Sequence, residues 1–150
     1  MFNFTAKLAT AAIAIAATSA FASPAIAAGQ CPKPGSVDLA NAPTSPKGVT
    51  DTVISLVDLG SEINVEGRQL RTRRLVVQPG GIVPLHSHKD RPALIYTLSG
   101  SITEYSSACA TPIEHKAGDI SREADGLSHY WVNHGKVPTV LLSSDVFHGK

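Results

Sequence analysis

The sequence predicts an all-β domain, a sandwich or barrel of short strands. Turn-formers are dense: after position 28 the chain has 122 residues holding 12 Gly and 9 Pro, about one in six, against about one in eight on average. β-rich runs of four to ten residues recur between turn signals. No segment keeps a 3.6-residue period beyond two turns, which argues against long helices.

In chain order, residues 1–28 read as a secretory signal peptide. Lys7 is their only charge, 8–20 is an apolar stretch short for a bilayer span, and Ala20-Phe21-Ala22 and Ala25-Ile26-Ala27 offer small-residue cleavage sites. An uncleaved anchor helix is the rival reading. The mature protein is expected in the periplasm or secreted, with no stable membrane insertion after cleavage. Without the leader, 12 Lys+Arg balance 12 Asp+Glu. That neutrality argues against nucleic acid as a partner, against a polybasic membrane-surface protein and against a charged disordered tail.

Residues 29–49 form a Pro-rich arm (Pro32, Pro34, Pro43, Pro46) that cannot hold a helix and should run extended. Cys31 and Cys109, the only two cysteines, are expected to pair in an oxidising compartment; two buried free thiols are the alternative. Residues 50–150 are the β-barrel domain, with strands expected at 52–59, 69–78, 93–98, 102–105, 129–132 and 139–142. Turns are expected at Gly60-Ser61, Pro79-Gly80-Gly81, Ser99-Gly100 and Ala117-Gly118-Asp119, among others.

Two stretches carry chemistry. Strand side chains alternate, so His86 and His88 project from one face and can clamp one cation. His129 and Trp131 form another such pair; if their strand faces the first, His129 completes a three-histidine face. Three protein ligands leave positions open for substrate, as catalytic metal sites do. Spacing alone leaves open that these are surface histidines.

The two stretches resemble the paired motifs of the cupin superfamily. The first motif is Gly, five residues, His, one residue, His, three or four residues, Glu, six residues, Gly; Gly80, His86, His88 and Gly100 occupy those positions. The second is Gly, five residues, Pro, one, Gly, two, His, three, Asn; Gly118, Gly126, His129 and Asn133 match every spacing. The resemblance spans about 70–142 and implies a cupin-like double-stranded β-helix, or jelly-roll barrel, with His86, His88 and His129 as ligands of a divalent transition metal. Iron is the first expectation, with manganese, zinc or nickel as alternatives.

Two positions depart from the pattern. Ala124 replaces the Pro, a local backbone change. Ala93 replaces the Glu ligand, which implies a neutral three-histidine site resembling the iron sites of some cupin dioxygenases. A barrel that has lost its metal is the alternative. A two-residue hairpin at Ser99-Gly100 would set Ile95 opposite Glu104 and turn Glu104 inward as a substitute carboxylate; a one-residue slip would turn it to solvent. Trp131 is expected to line the pocket with Ala93 and Ile95. Tyr96 and Tyr130 should face away, which leaves no general base beside the ligands and argues against hydrolase chemistry. Arg71, Arg73 and Arg74 read as a solvated strand face, Asp90 and Arg91 as a loop at the barrel mouth able to gate it or to pair with each other, and His115, His134 and His148 as exposed. The expected function is a small-molecule, metal-dependent enzyme of the non-haem iron oxygenase type. The alternative is a non-catalytic periplasmic small-molecule binding cupin. The resemblance also implies a homodimer paired through an edge strand.

Overall fold

A computed structural model describes residues 30–149; the leader expected at 1–28 lies outside them. The elements are β1 (Lys47–Asp58), α1 (Leu59–Ile63), β2 (Arg68–Ser87), β3 (Ala93–Ser99), β4 (Ser101–Ser106), β5 (Ile113–Lys116), β6 (Ile120–Glu123), β7 (Ser128–Val132) and β8 (Thr139–His148). The strands curl into a nearly closed antiparallel jelly-roll barrel in the order β5-β4-β7-β2-β8-β3-β6, with β1 added along β2. The all-β expectation holds.

β2 explains the shape, because its 20 residues serve two layers. Residues 68–77 pair with β8, from Arg68↔His148 to Val77↔Thr139, and residues 82–87 pair with β7, from Ile82↔Val132 to Ser87↔Ser128. The Pro79-Gly80-Gly81 turn expected between them is instead a corner through which the strand continues, the usual way one strand passes between packed layers. Gly80 adopts φ 69°, which favours glycine. A Cβ on Gly81 would lie 2.7 Å from the Gln78 carbonyl oxygen. Buried Asn133 secures the corner: its Nδ2 donates to the Val77 carbonyl, its N–H to the Gly81 carbonyl, and its own carbonyl accepts from Gly80 N–H.

The hairpin expected at Ser99-Gly100 does not form. β3 pairs with β8 and β6, whereas β4 pairs with β7 and β5, so the turn carries the chain from one layer to the other. Ile95 therefore stands opposite Ser121 and Ser143, and Glu104 opposite Trp131 and Ile113. The expected Gly60-Ser61 turn is the start of α1, capped by the Asp58 carboxylate accepting from both N–H groups. Two four-residue strands, β5 and β6, add to the six expected from the sequence.

Register across β2-β8-β3-β6 sorts the interior into rows. Arg71, Asp145, Ala93 and Glu123 form one row; Arg73, Ser143, Ile95 and Ser121 the next; Leu75, Leu141 and Thr97 a third. Successive rows are two residues apart, so all face the same side. The barrel is therefore apolar around Leu75, Val77 and Leu141 and ionic towards Asp145 and Glu123.

Cys31 and Cys109 are disulfide-bonded, with Cα atoms 5.6 Å apart. The arm runs without regular strand from Gln30 to β1, touching the body through a Pro34–Cys109 bridge and a hydrogen bond from Leu85 N–H to the Pro43 carbonyl. β1 leaves Val53, Ile54, Leu56 and Val57 exposed.

Candidate metal centre

His86 stands near the end of β2, directly opposite His129 on β7, and His88 follows just past that end. The three rings close on one point, with centroids 4.6, 4.9 and 5.0 Å apart. The fourth member is Glu123 on β6, which sequence reasoning missed. One ligand atom from each of His86, His88, Glu123 and His129 falls within 4.8 Å of the others.

The neutral three-histidine set expected from Ala93 is thus replaced by a set with one carboxylate. The register gives the reason: Ala93 on β3 is the cross-strand partner of Glu123. Directly opposite residues share a face with Cβ atoms about 5 Å apart, so the carboxylate reaches the centre from the neighbouring strand over a side chain too small to obstruct it. Glu104 does point inward, but it stands behind the centre. Its Oε1 lies 2.7 Å from His129 Nδ1 and its Oε2 lies 2.8 Å from His115 Nε2. Burial would raise the Glu104 carboxyl, but hydrogen bonds from His115 and His129 outweigh it and hold the group down at about 2.

These contacts fix the ring tautomers. Nδ1 of His86 lies 2.8 Å from the Pro84 carbonyl and Nδ1 of His88 lies 2.7 Å from the Arg91 carbonyl. A carbonyl only accepts, so both Nδ1 atoms carry the proton and donate. His129 Nδ1 donates likewise to ionised Glu104. Each ring therefore turns an Nε2 lone pair inward. His86 is held neutral, its pKa lowered to about 3 by burial and by repulsion from His129. Nε2 of His86 and of His129 face each other at 3.1 Å. His88 Nε2 is buried 3.0 Å from Glu123 Oε2 yet forms no hydrogen bond. Lone pairs and a carboxylate crowded without a donor repel one another, and a cation between them removes that repulsion. The donor set of imidazoles and one carboxylate, each ring oriented through its second nitrogen, fits a transition metal.

Trp131 lies on the face of His129 as expected, buried, with ring centroids 5.8 Å apart. A cavity of about 370 Å³ opens onto His86, Glu123, Trp131 and Ile95. Tyr96 faces outward, and Tyr130 stacks on Tyr105 with ring centroids 4.6 Å apart.

Several expectations for the charged residues need correcting. His115 is not exposed; it is fully buried and stacks on Trp131 with ring centroids 4.5 Å apart. Arg71 and Arg73 are not a solvated face, because they share the inward face of β2 with Leu75 and turn towards Asp145; Arg74, one residue out of phase, is exposed. Asp90 and Arg91 do not pair: Asp90 meets Arg68 and His148 at the surface, and Arg91 reaches buried Asp145. His134 is exposed as expected, 3.0 Å from the Tyr105 hydroxyl.

Comparison with known proteins agrees with this architecture. Residues 73–145 match the cupin domain family. The chain is 33% identical over 81 residues to germin-like protein 1 of Brassica napus, which covers 52% of this chain and 39% of that protein. It spans less than half the length of the curated relatives it matches. Among solved structures, one described as a predicted oxalate decarboxylase from Thermotoga maritima superposes with TM-score 0.56 at 22% identity, covering 77% of this chain and 92% of that one. An oxalate oxidase in complex with the substrate analogue glycolate gives 0.52 at 18% identity, covering 75% and 59%. At these identities the likeness is one of fold.

Proposed function

The chain belongs to the cupin superfamily, and we propose that it is a metal-dependent enzyme of the dioxygen-using type, acting on a small molecule, with the metal held by His86, His88, Glu123 and His129. The observation that carries this reading is the convergence of three oriented Nε2 lone pairs and one carboxylate on a single point beside an open cavity. A divalent transition metal, iron first and manganese, zinc or nickel as alternatives, would supply Lewis-acid and redox chemistry there, with positions left for substrate. The chain's own contribution is orientation and exclusion of water. Pro84, Arg91 and Glu104 each hold one imidazole by its outer nitrogen, and Glu104 adds negative charge behind His129, which strengthens that ring as a donor. Trp131 and Ile95 wall the cavity with apolar surface. Among the described residues, the carboxylate outside the donor set that lines the cavity, Asp51, is engaged by Arg73, which favours redox over hydrolytic chemistry.

We place the protein in the periplasm or outside the cell; the Cys31–Cys109 bond supports an oxidising compartment. The apolar residues exposed along β1 support a homodimer paired through that edge. The test is elemental analysis of protein purified from its native compartment, followed by measurement of oxygen uptake. About one equivalent of a transition metal per chain, lost in His129→Ala, is the expected result. Protein that carries no transition metal and binds none when it is offered would overturn the reading in favour of a non-catalytic small-molecule binder.

A further inference from the structure

The cavity that opens onto His86 and Glu123 has a second charged wall. Buried Asp145 accepts from Arg71 Nε at 3.0 Å and Nη2 at 2.7 Å and from Arg91 Nη1 at 2.9 Å, and Arg73 Nη2 lies 3.5 Å away. Three guanidinium groups thus crowd one carboxylate that has no exposure to water. Among the described residues, the other acid that meets these guanidiniums is Asp51 of β1, 40% exposed, whose Oδ2 sits 2.5 Å from Arg73 Nη1. At this wall three guanidiniums thus meet two carboxylates, while Glu123 stands at the opposite wall. Donors remain: Arg73 Nε is buried without a partner, and among the described residues the Arg91 guanidinium bonds only to Asp145.

Arg73, Arg91 and Asp51 all line the cavity, together with Val49, Leu75, Val83, Ile95, Trp131 and Leu141. The register fixes the distance between its two charged walls. Asp145 and Glu123 flank Ala93 on adjacent strands, so their backbones are about 10 Å apart, the length of a small organic molecule.

Resting on the metal-centre reading, we propose that the substrate is a carboxylate on a compact apolar body, its charged end held by Arg91 and Arg73 and its other end over His86 and Glu123, with Asp51 occupying the carboxylate's place on Arg73 until substrate enters. A guanidinium fork favours a carboxylate over a neutral amide of the same shape, because charge-assisted hydrogen bonds are the stronger kind. The apolar walls favour a body that covers them over a small, fully polar dianion such as oxalate. Asp51 is partly in water, so its displacement costs little.

Trp131, the only tryptophan, borders the cavity and supplies the signal. The protein as purified, with its metal content measured, is titrated with 3-phenylpropionate, 3-phenylpropionamide and oxalate while Trp131 emission is followed; the series is repeated after treatment with chelator. The acid should bind at least about tenfold more tightly than the amide, and more tightly than oxalate. The acid–amide preference should survive chelation, because the guanidiniums stay. Arg91→Gln, which keeps the backbone carbonyl that holds His88, should cut it to below about threefold, and Asp51→Asn should tighten the acid severalfold and leave the amide alone. Should Arg91→Gln not fold, the surface variant Asp51→Asn and the acid–amide ratio still decide. Equal binding of acid and amide, tighter binding of oxalate, or a preference unmoved by either variant would overturn the proposal. Absent metal with an intact acid preference would sink the metal reading alone; full metal with no preference would sink this one alone.

Discussion

Ala93 stands between two inward-facing carboxylates, Glu123 on one neighbouring strand and Asp145 on the other. Both are buried, at 2% and 1% exposure, and the same sheet presents them in the same row. Their surroundings are opposite. Asp145 faces three guanidiniums, which carry permanent charge. Burial would raise its carboxyl, but hydrogen bonds from Arg71 and Arg91, with Arg73 close by, hold it below the ordinary carboxylate range. Glu123 faces imidazoles that point lone pairs at it, and none of them brings a fixed positive charge. A buried carboxylate needs compensation from somewhere. Asp145 finds it within the chain, which makes it part of the framework; Glu123 does not, which makes it a receiver for a cation from outside.

Of the two carboxylates, Asp145 carries the larger share of stability. Asp145→Ala would leave Arg71, Arg73 and Arg91 half-buried around an empty acceptor, and should cost about 3 kcal/mol of stability, the low end for a broken buried pair because the guanidiniums retain some water. Urea unfolding of the metal-free protein reads this directly. Glu123→Gln should behave in the opposite way. It removes a carboxylate that faces no fixed positive charge, so the metal-free protein should unfold at the same urea concentration or higher, while metal affinity falls by more than the roughly 10- to 100-fold typical of outer hydrogen-bond partners. Glu123→Ala combined with Ala93→Glu should recover much of that affinity, because the two positions are directly opposed on one face. A double variant that binds metal no better than Glu123→Ala would mean that position 93 does not face the centre.

The smallest expected effect is on pH dependence. An unfolded histidine takes a proton near pH 6.5, whereas folded His86 resists until about 3. Below pH 6.5 the unfolded state binds more protons, so the metal-free protein should lose stability as pH falls from 6.5 towards 3. Glu104, held at about 2 when folded, adds a second loss as pH falls through the carboxylate range. Urea midpoints measured from pH 8 to 5 should drop below 6.5 and flatten in His86→Gln. A wild-type midpoint that stays level across that range would contradict the buried, neutral His86 described above.

Much of this was legible in the chain. Turn density and alternation announce an all-β fold, and the spacings of His86, His88 and His129 select the three rings that converge. The pairing of Cys31 with Cys109 needed only that no third cysteine compete. Glu123 was not legible, although it lies inside the second motif. β6 is four residues long, and its alternation of exposed Ile120 and Arg122 with buried Ser121 and Glu123 puts the apolar residue outside, against the usual rule. Arg71 and Arg73 were not legible for the same reason: a charged residue on a strand is ordinarily outward, and here Asp145, 74 residues away in sequence for Arg71, together with Asp51 and Ser143 for Arg73, turns them in.

What the sequence determined by itself is therefore local: which segments extend, where they turn, and which residues share a face, because side-chain alternation is a property of a single strand. Which faces meet was decided only by tertiary structure. β3 pairs with β6 and β8 instead of folding back on β4, and that choice puts Glu123 beside Ala93, sends Glu104 behind His129 and brings three arginines onto Asp145. Strand register over such separations follows from how the whole barrel closes around its apolar rows, and no single segment carries that information.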